Sequence, residues 1–247
     1  MIDIHCHILP GLDDGPSNMK RAVDMALCAV RSGTSRIIAT PHFKNGVFKV
    51  SPEMVTASVE MFTRELKEKR IALDVLPGAE IRISPEICRQ LDQGELLPLG
   101  ASSYYLFELP DIFIKDGIIK LLRQLQQREV MPVIAHPERN RTIMRHPEMI
   151  TELIFEKALF QITGKSITGE NGKLSFRIAR DMVKEGQVHF VASDGHSLRH
   201  RPPCISDTVK AVKKVGGEKA VRTIFEENPA KIVGSSARDG AMSKRVG

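Results

Sequence analysis

The sequence predicts an α/β protein folded as a distorted (β/α)7, TIM-like barrel. Short β-rich apolar runs alternate with longer amphipathic stretches from one end to the other, and no linker or low-complexity segment interrupts the series. A length of 247 residues suits a single α/β barrel, and 42% hydrophobic with 27% charged residues is ordinary globular usage.

Seven runs read as strands: Ile2–Ile8, Arg36–Pro41, Leu73–Ile81, Tyr104–Glu108, Met131–His136, Leu159–Thr163 and Val188–Ser193. Between them the spacing predicts helices over Met19–Arg31, Pro52–Lys69, Gly117–Arg128, Phe176–Glu185 and Ser206–Val215. Seven units favour the distorted barrel over an open doubly wound sheet, and both architectures put active sites at strand C-terminal ends. The expected domain is residues 1–233, followed by a flexible tail over 234–247.

Composition excludes several classes. Met1-Ile2-Asp3-Ile4-His5 has neither a basic leader nor an apolar signal stretch, and no later run approaches membrane-spanning length, so a cytoplasmic protein without membrane insertion is expected. The net charge of +6 falls largely in Lys67–Arg70, Arg199–Arg201, Lys210–Lys214 and Lys244-Arg245, with no interleaved aromatic residues, which reads as solvated surface and not as a nucleic-acid platform. Cys6, Cys28, Cys88 and Cys204 are scattered without a C-x-x-C pair and read as reduced packing thiols.

The chemistry sits at the strand ends. In Asp3-Ile4-His5-Cys6-His7, strand alternation turns His5 and His7 to one face, a two-imidazole clamp that needs further ligands before it means metal. Thr40-Pro41-His42, Gly78-Ala79-Glu80, Phe107-Glu108, Ala135-His136-Pro137 and Ser193-Asp194-Gly195-His196 supply a His or carboxylate at the ends of successive strands. Buried ionisable groups are costly unless paired or coordinated, so packing does not account for the pattern. Asp14, in the turn Leu12-Asp13-Asp14-Gly15, fits a ligand or a helix cap equally well. The donors are all nitrogen and oxygen, as manganese, iron or zinc would accept. Gly164-Lys165-Ser166 lacks the upstream glycine of a phosphate loop, and His146, His189 and His200 lie off the ligand pattern.

Taken together, Asp3-Ile4-His5-Cys6-His7-Ile8-Leu9-Pro10-Gly11-Leu12-Asp13-Asp14-Gly15-Pro16, Thr40-Pro41-His42, Gly78-Ala79-Glu80-Ile81, Phe107-Glu108, His136-Pro137-Glu138-Arg139 and Ser193-Asp194-Gly195-His196 closely resemble the bacterial tyrosine phosphatases of the polymerase-and-histidinol-phosphatase (PHP) family. The resemblance implies a trinuclear centre of divalent ions, manganese with iron or zinc as alternatives. It also implies hydrolysis of phosphotyrosine on a bacterial tyrosine kinase of exopolysaccharide synthesis. By motif, His5, His7, Glu80 and Asp194 would hold one ion; Glu80, Glu108 and His136 a second; Asp14, His42 and His196 a third. Arg139 and Arg201 would match the phosphate-binding arginines, Asp194 and His196 would be candidates for protonating the leaving group, and metal-activated hydroxide would be the nucleophile. A histidinol-phosphate phosphatase or an exonuclease-like phosphodiesterase of the same family shares every ligand and is the alternative. The chain departs from many relatives in having Gly195 and Ser197 around His196, and from some in having Phe43 after His42, which touches the pocket rim but removes no ligand.

Overall fold

Two of the predicted strands are each broken in the middle by residues that cannot continue a ladder. The second run divides at Thr40-Pro41 into β2 (Arg36–Ala39) and β3 (His42–Phe43), and the third at Gly78-Ala79 into β4 (Asp74–Pro77) and β5 (Glu80–Arg82). Proline has no N–H to donate. At Gly78 the chain passes so close to β2 that a Cβ would lie 2.7 Å from Ile38 Cγ2. The computed structural model, which describes residues 1–43 and 46–234, therefore has nine strand segments instead of seven. Joined across their breaks they still make seven staves.

The remaining strands are β1 (Ile2–Cys6), β6 (Tyr104–Glu108), β7 (Met131–Ala135), β8 (Leu159–Thr163) and β9 (Phe190–Ala192). Every named strand pairing is parallel, in the orders β1-β2-β4 and β3-β5-β6-β7-β8-β9. The breaks pass the ribbon from one sheet to the other, with the Glu80 amide still donating to the Pro41 carbonyl at 3.1 Å. The circuit returns to β1 through Asp194 N–H to His5 O at 2.9 Å and His7 N–H to Gly195 O at 2.8 Å. The result is the predicted distorted barrel, with β1 two residues shorter and β9 three residues shorter than their sequence runs.

Helices cover the outside. The longest are α1 (Met19–Arg31), α2 (Pro52–Glu68), α4 (Lys115–Gln126), α8 (Lys173–Lys184) and α9 (Ser206–Arg222). Asn18 caps α1 by accepting from the Arg21 amide at 3.1 Å, and Ser51 caps α2 ahead of Pro52. Helix α9 runs past the predicted Val215 but breaks at Gly217, where φ is +75°. Five short helices lay outside the sequence reading: α3 (Ile87–Asp92), α5 (Arg141–Arg145), α6 (Met149–Phe155), α7 (Gly164–Thr168) and α10 (Asn228–Val233). Among the described residues no helix is long and apolar enough to cross a membrane. The predicted tail, apart from Gly234, lies outside the described residues.

Strand alternation sorts the core into two layers. Phe43, Phe107 and Phe160 belong to the large cluster shared with the helices, whereas Ile4, Ile38, Leu106, Val133 and Phe190 form a smaller one joined by Leu99 and Ile232. Leu106 shares a strand face with Glu108, and Phe190 with Ala192, one step below Asp194. The smaller cluster thus plugs the interior beneath a polar mouth at the strand C-terminal ends.

Candidate metal centre

Three histidines at this mouth have one ring nitrogen committed to an orienting acceptor. His5 Nδ1 meets Gln161 Oε1 at 2.9 Å, and the same Gln161 amide donates through Nε2 to the Ile162 carbonyl, which fixes its oxygen toward His5. His7 Nδ1 lies 2.6 Å from Asp13 Oδ2, and His196 Nδ1 lies 2.9 Å from the Asp194 carbonyl. A neutral ring that donates from Nδ1 carries its lone pair on Nε2, the arrangement found behind metal-bound imidazoles.

Those Nε2 atoms face a shared space. His5 Nε2 and His7 Nε2 approach to 3.1 Å, and both lie 3.5 Å from Asp194 Oδ1. Glu80 Oε2 is 3.6 Å and 3.4 Å from the same two nitrogens, while Glu80 Oε1 is 2.8 Å from His136 Nε2. On the other side His42 Nδ1 approaches Glu80 Oε2 to 2.9 Å, and Asp14 Oδ1 lies 3.6 Å from His42 Nε2 and 3.3 Å from His196 Nε2.

Three atoms in this cavity, His42 Nδ1, Glu80 Oε2 and His196 Nε2, are buried without a hydrogen-bond partner. The His42–Glu80 contact is short yet makes no hydrogen bond, so both atoms stand in the cavity without a partner. A buried unpartnered polar atom costs about 1–3 kcal/mol, and several around one cavity fit a divalent cation. Donor atoms converge within 4.8 Å in three groups: His7, Asp14, His42 and His196; His5, His7 and Glu80; and His42, Glu80 and Glu108. These groups hold seven of the nine predicted ligands, and His136 beside Glu80 and Asp194 beside His5 and His7 bring the other two to the same mouth. Relative to the predicted partition, His7 also joins the Asp14 group, and His42 stands beside Glu80 and Glu108 where His136 was expected; His136 meets Glu80 through its other carboxylate oxygen.

The charges are arranged for cation binding. Burial opposes ionisation of Glu80 and Asp194, but the surrounding histidines, His5 foremost, outweigh it and hold both carboxyls well below the usual range. Burial also disfavours the charged form of His7, yet the hydrogen bond to Asp13 and the nearby Glu80 carboxylate carry its pKa up to about 10. At His196 burial prevails over the Asp14 contact and keeps the pKa below ordinary.

Backbone geometry aims the groups. His136 and Asp194, at the ends of β7 and β9, take left-handed φ values of 31° and 51°, an expensive conformation for residues other than glycine that concentrates at functional sites. Gly15 follows the two aspartates because a Cβ there would sit 2.3 Å from the His7 carbonyl. Arg139 donates to Asp194 Oδ2, and Arg201 donates to Asp14 Oδ2 at 3.1 Å and to Asp194 Oδ2 at 3.5 Å, so both predicted arginines stand at the rim. Glu108 is partly exposed and pairs with Arg82 at 2.9 Å. The Phe48 ring lies parallel to His42 at 6.0 Å.

Sequence reasoning missed the orienting residues. Asp13 reads as a turn aspartate, yet it accepts from His7, from the His42 amide at 2.9 Å and from the Gly15 amide at 3.0 Å. Gln161 carried a usable signal, a polar residue at the centre of an apolar strand, where burial demands a partner.

Fold and site together define a parallel α/β barrel with a nitrogen- and oxygen-donor centre at its C-terminal mouth. Residues 1–234 match the family described as capsular polysaccharide synthesis, CpsB/CapC, and the chain belongs to that family. It is 42% identical to tyrosine-protein phosphatase YwqE of Bacillus subtilis (strain 168) over 201 residues, covering 81% of this chain and 79% of the relative. Its structure is similar to a crystal structure from work on YwqE from Bacillus subtilis and CpsB from Streptococcus pneumoniae, described there as unique metal-dependent tyrosine phosphatases. The TM-score is 0.90 at 38% identity, and 94% of each chain is covered. A D-hydantoinase, at 14% identity and a TM-score of 0.54 over 96% of this chain and 73% of that one, shares the fold alone.

Proposed function

We propose that this protein is a metal-dependent protein-tyrosine phosphatase acting on a phosphotyrosine protein, a bacterial tyrosine kinase of exopolysaccharide synthesis, in the cytoplasm. The observation that carries the reading is the convergence of imidazole nitrogens and an unpartnered Glu80 oxygen around one cavity, in a chain whose relatives bear that activity in their names. Three divalent ions, manganese by preference, would be held by His5, His7, Glu80 and Asp194; by Glu80, Glu108 and His136; and by Asp14, His42 and His196. When bound, such ions supply Lewis acidity and lower the pKa of coordinated water from about 15.7 toward about 7.

The chain's own residues do the rest. Asp13, Gln161 and the Asp194 carbonyl hold three imidazoles in the tautomer that offers Nε2. Arg139 and Arg201 bring guanidinium forks to the edge of the same cavity, where planar donors suit phosphoryl oxygens in a way that lysine cannot match. Asp194 is held ionised and the His196 proton sits on Nδ1, so both act as lone-pair donors in this arrangement. A tyrosine leaving group, with a pKa of about 10, departs with less protonation than an alkoxide needs.

The test is p-nitrophenyl phosphate hydrolysis with added manganese, before and after chelation, followed by a panel of phosphotyrosyl peptide, histidinol phosphate and single-stranded DNA. Chelator-sensitive turnover with preference for the peptide is expected. Equal rates on all three substrates would defeat the assignment to phosphotyrosine.

A further inference from the structure

A cleft of about 360 Å³ opens directly beside His196. Its walls come from the turn after β1 (Gly15, Pro16), the exposed side of α1 (Arg21, Asp24) and the loop after β9 (Ser197 to His200). Arg21 and Arg199 are both exposed, and neither guanidinium has an ion-pair partner among the described residues. Asp24 is the sole acid in the lining, which leaves the cleft net positive, and Leu198 gives it an exposed apolar surface. At the low end of the 300–1,000 Å³ usual for ligand pockets, it has room for a side chain or two and not for a large molecule.

We propose that this cleft is a docking subsite for an acidic residue flanking the phosphotyrosine of the substrate protein. The proposal rests on the phosphatase reading. A phosphotyrosine that delivers its phosphoryl group to the centre must lay its neighbouring residues over the mouth, and the cleft shares the His196 wall with that centre. An aspartate or glutamate entering there would rest its methylene carbons on Leu198 and meet two guanidinium groups that make no ion pair among the described residues. Remote contacts of this kind bind ground state and transition state alike, so they act on KM and leave kcat unchanged.

The experiment uses the full manganese-loaded protein and two phosphotyrosyl peptides identical except for glutamates or lysines beside the phosphotyrosine, with p-nitrophenyl phosphate as the substrate that cannot reach the cleft. Wild type is expected to prefer the glutamate peptide by up to about 30-fold in kcat/KM, since two exposed ion pairs each contribute at most about 1 kcal/mol. R21E/R199E should invert that preference through KM while leaving p-nitrophenyl phosphate turnover unchanged. An unaltered peptide preference in the variant, or a parallel fall in p-nitrophenyl phosphate turnover, would overturn the subsite. Wild-type protein that leaves p-nitrophenyl phosphate intact would instead overturn the phosphatase reading on which it stands.

Discussion

His42 and Glu80 are register partners across the β3–β5 pair, and their Nδ1 and Oε2 atoms stand 2.9 Å apart without a hydrogen bond between them. Glu80 also lies close to His5, His7 and His136, and with His7 and His42 it is one of the residues shared between donor groups. Glu80→Gln, which keeps the shape and removes the charge, is expected to lower bound metal and to cut p-nitrophenyl phosphate turnover by at least about 100-fold. Metal analysis and rates on the same sample check this, and turnover close to wild type would break the shared-ligand assignment.

Asp13 acts one step further out. Asp13→Asn leaves an oxygen near His7 Nδ1 but removes the carboxylate that makes the imidazole basic. Metal affinity should fall by about 10–100-fold, and the metal-free protein should lose stability at neutral pH as well, because Asp13 is the acceptor that holds the His7 imidazolium. Competition against a chromophoric chelator measures the affinity directly.

Proton release gives an independent reading of His7. Its pKa of about 10 in the metal-free fold means that it carries a proton at pH 8, and coordination through Nε2 must expel that proton. Manganese added to metal-free protein at pH 8 should therefore demand base in a pH-stat. Because the folded value lies above the unfolded value of about 6.5, the stabilising contribution of His7 to the metal-free fold is complete below about pH 6.5. It is lost as the pH rises through about 10. A metal-free melting temperature that climbs across that window would contradict the assignment.

Arg139→Ala should depress kcat/KM by about 10–100-fold, the equivalent of one lost charge-assisted hydrogen bond, with bound metal unchanged. The guanidinium contacts only the outward oxygen of Asp194, so loss of metal in this variant would count against a role in gripping phosphate.

The sulfurs of Cys28 on α1 and Cys204 on the loop before α9 are 2.6 Å apart, although both cysteines are free. Mild diamide treatment is expected to join them within one chain, detected as a chelator-independent shift on a non-reducing gel that Cys28→Ser abolishes. Persistence of two titratable thiols at these positions after treatment would refute the proximity.

Much of the site was legible because a strand's alternation is local: His5 and His7, or a carboxylate closing an apolar run, can be recognised within a few residues. The breaks at Pro41 and Gly78 were harder, because a short interruption in an apolar run leaves the run intact to the eye, and the crowding at Gly78 depends on Ile38 far away in sequence. Helices such as α5 and α7, at five residues each, are too short to show a period. Partnerships such as His5 with Gln161 and Cys28 with Cys204 span more than 150 positions, where spacing carries no signal.

The seam between β1 and the end of β9 joins the two extremes of the barrel's chain, with His5 and His7 on one side and Asp194 and Gly195 on the other. During synthesis the first two histidines leave the ribosome long before their partners exist, and they wait for most of translation with nothing to close against. Loop-closure entropy makes such distant pairings slow, so the cavity is completed among the last events of assembly. A chain truncated before Asp194 would carry His5, His7, Glu80 and His136 yet have no closed cavity to present them in.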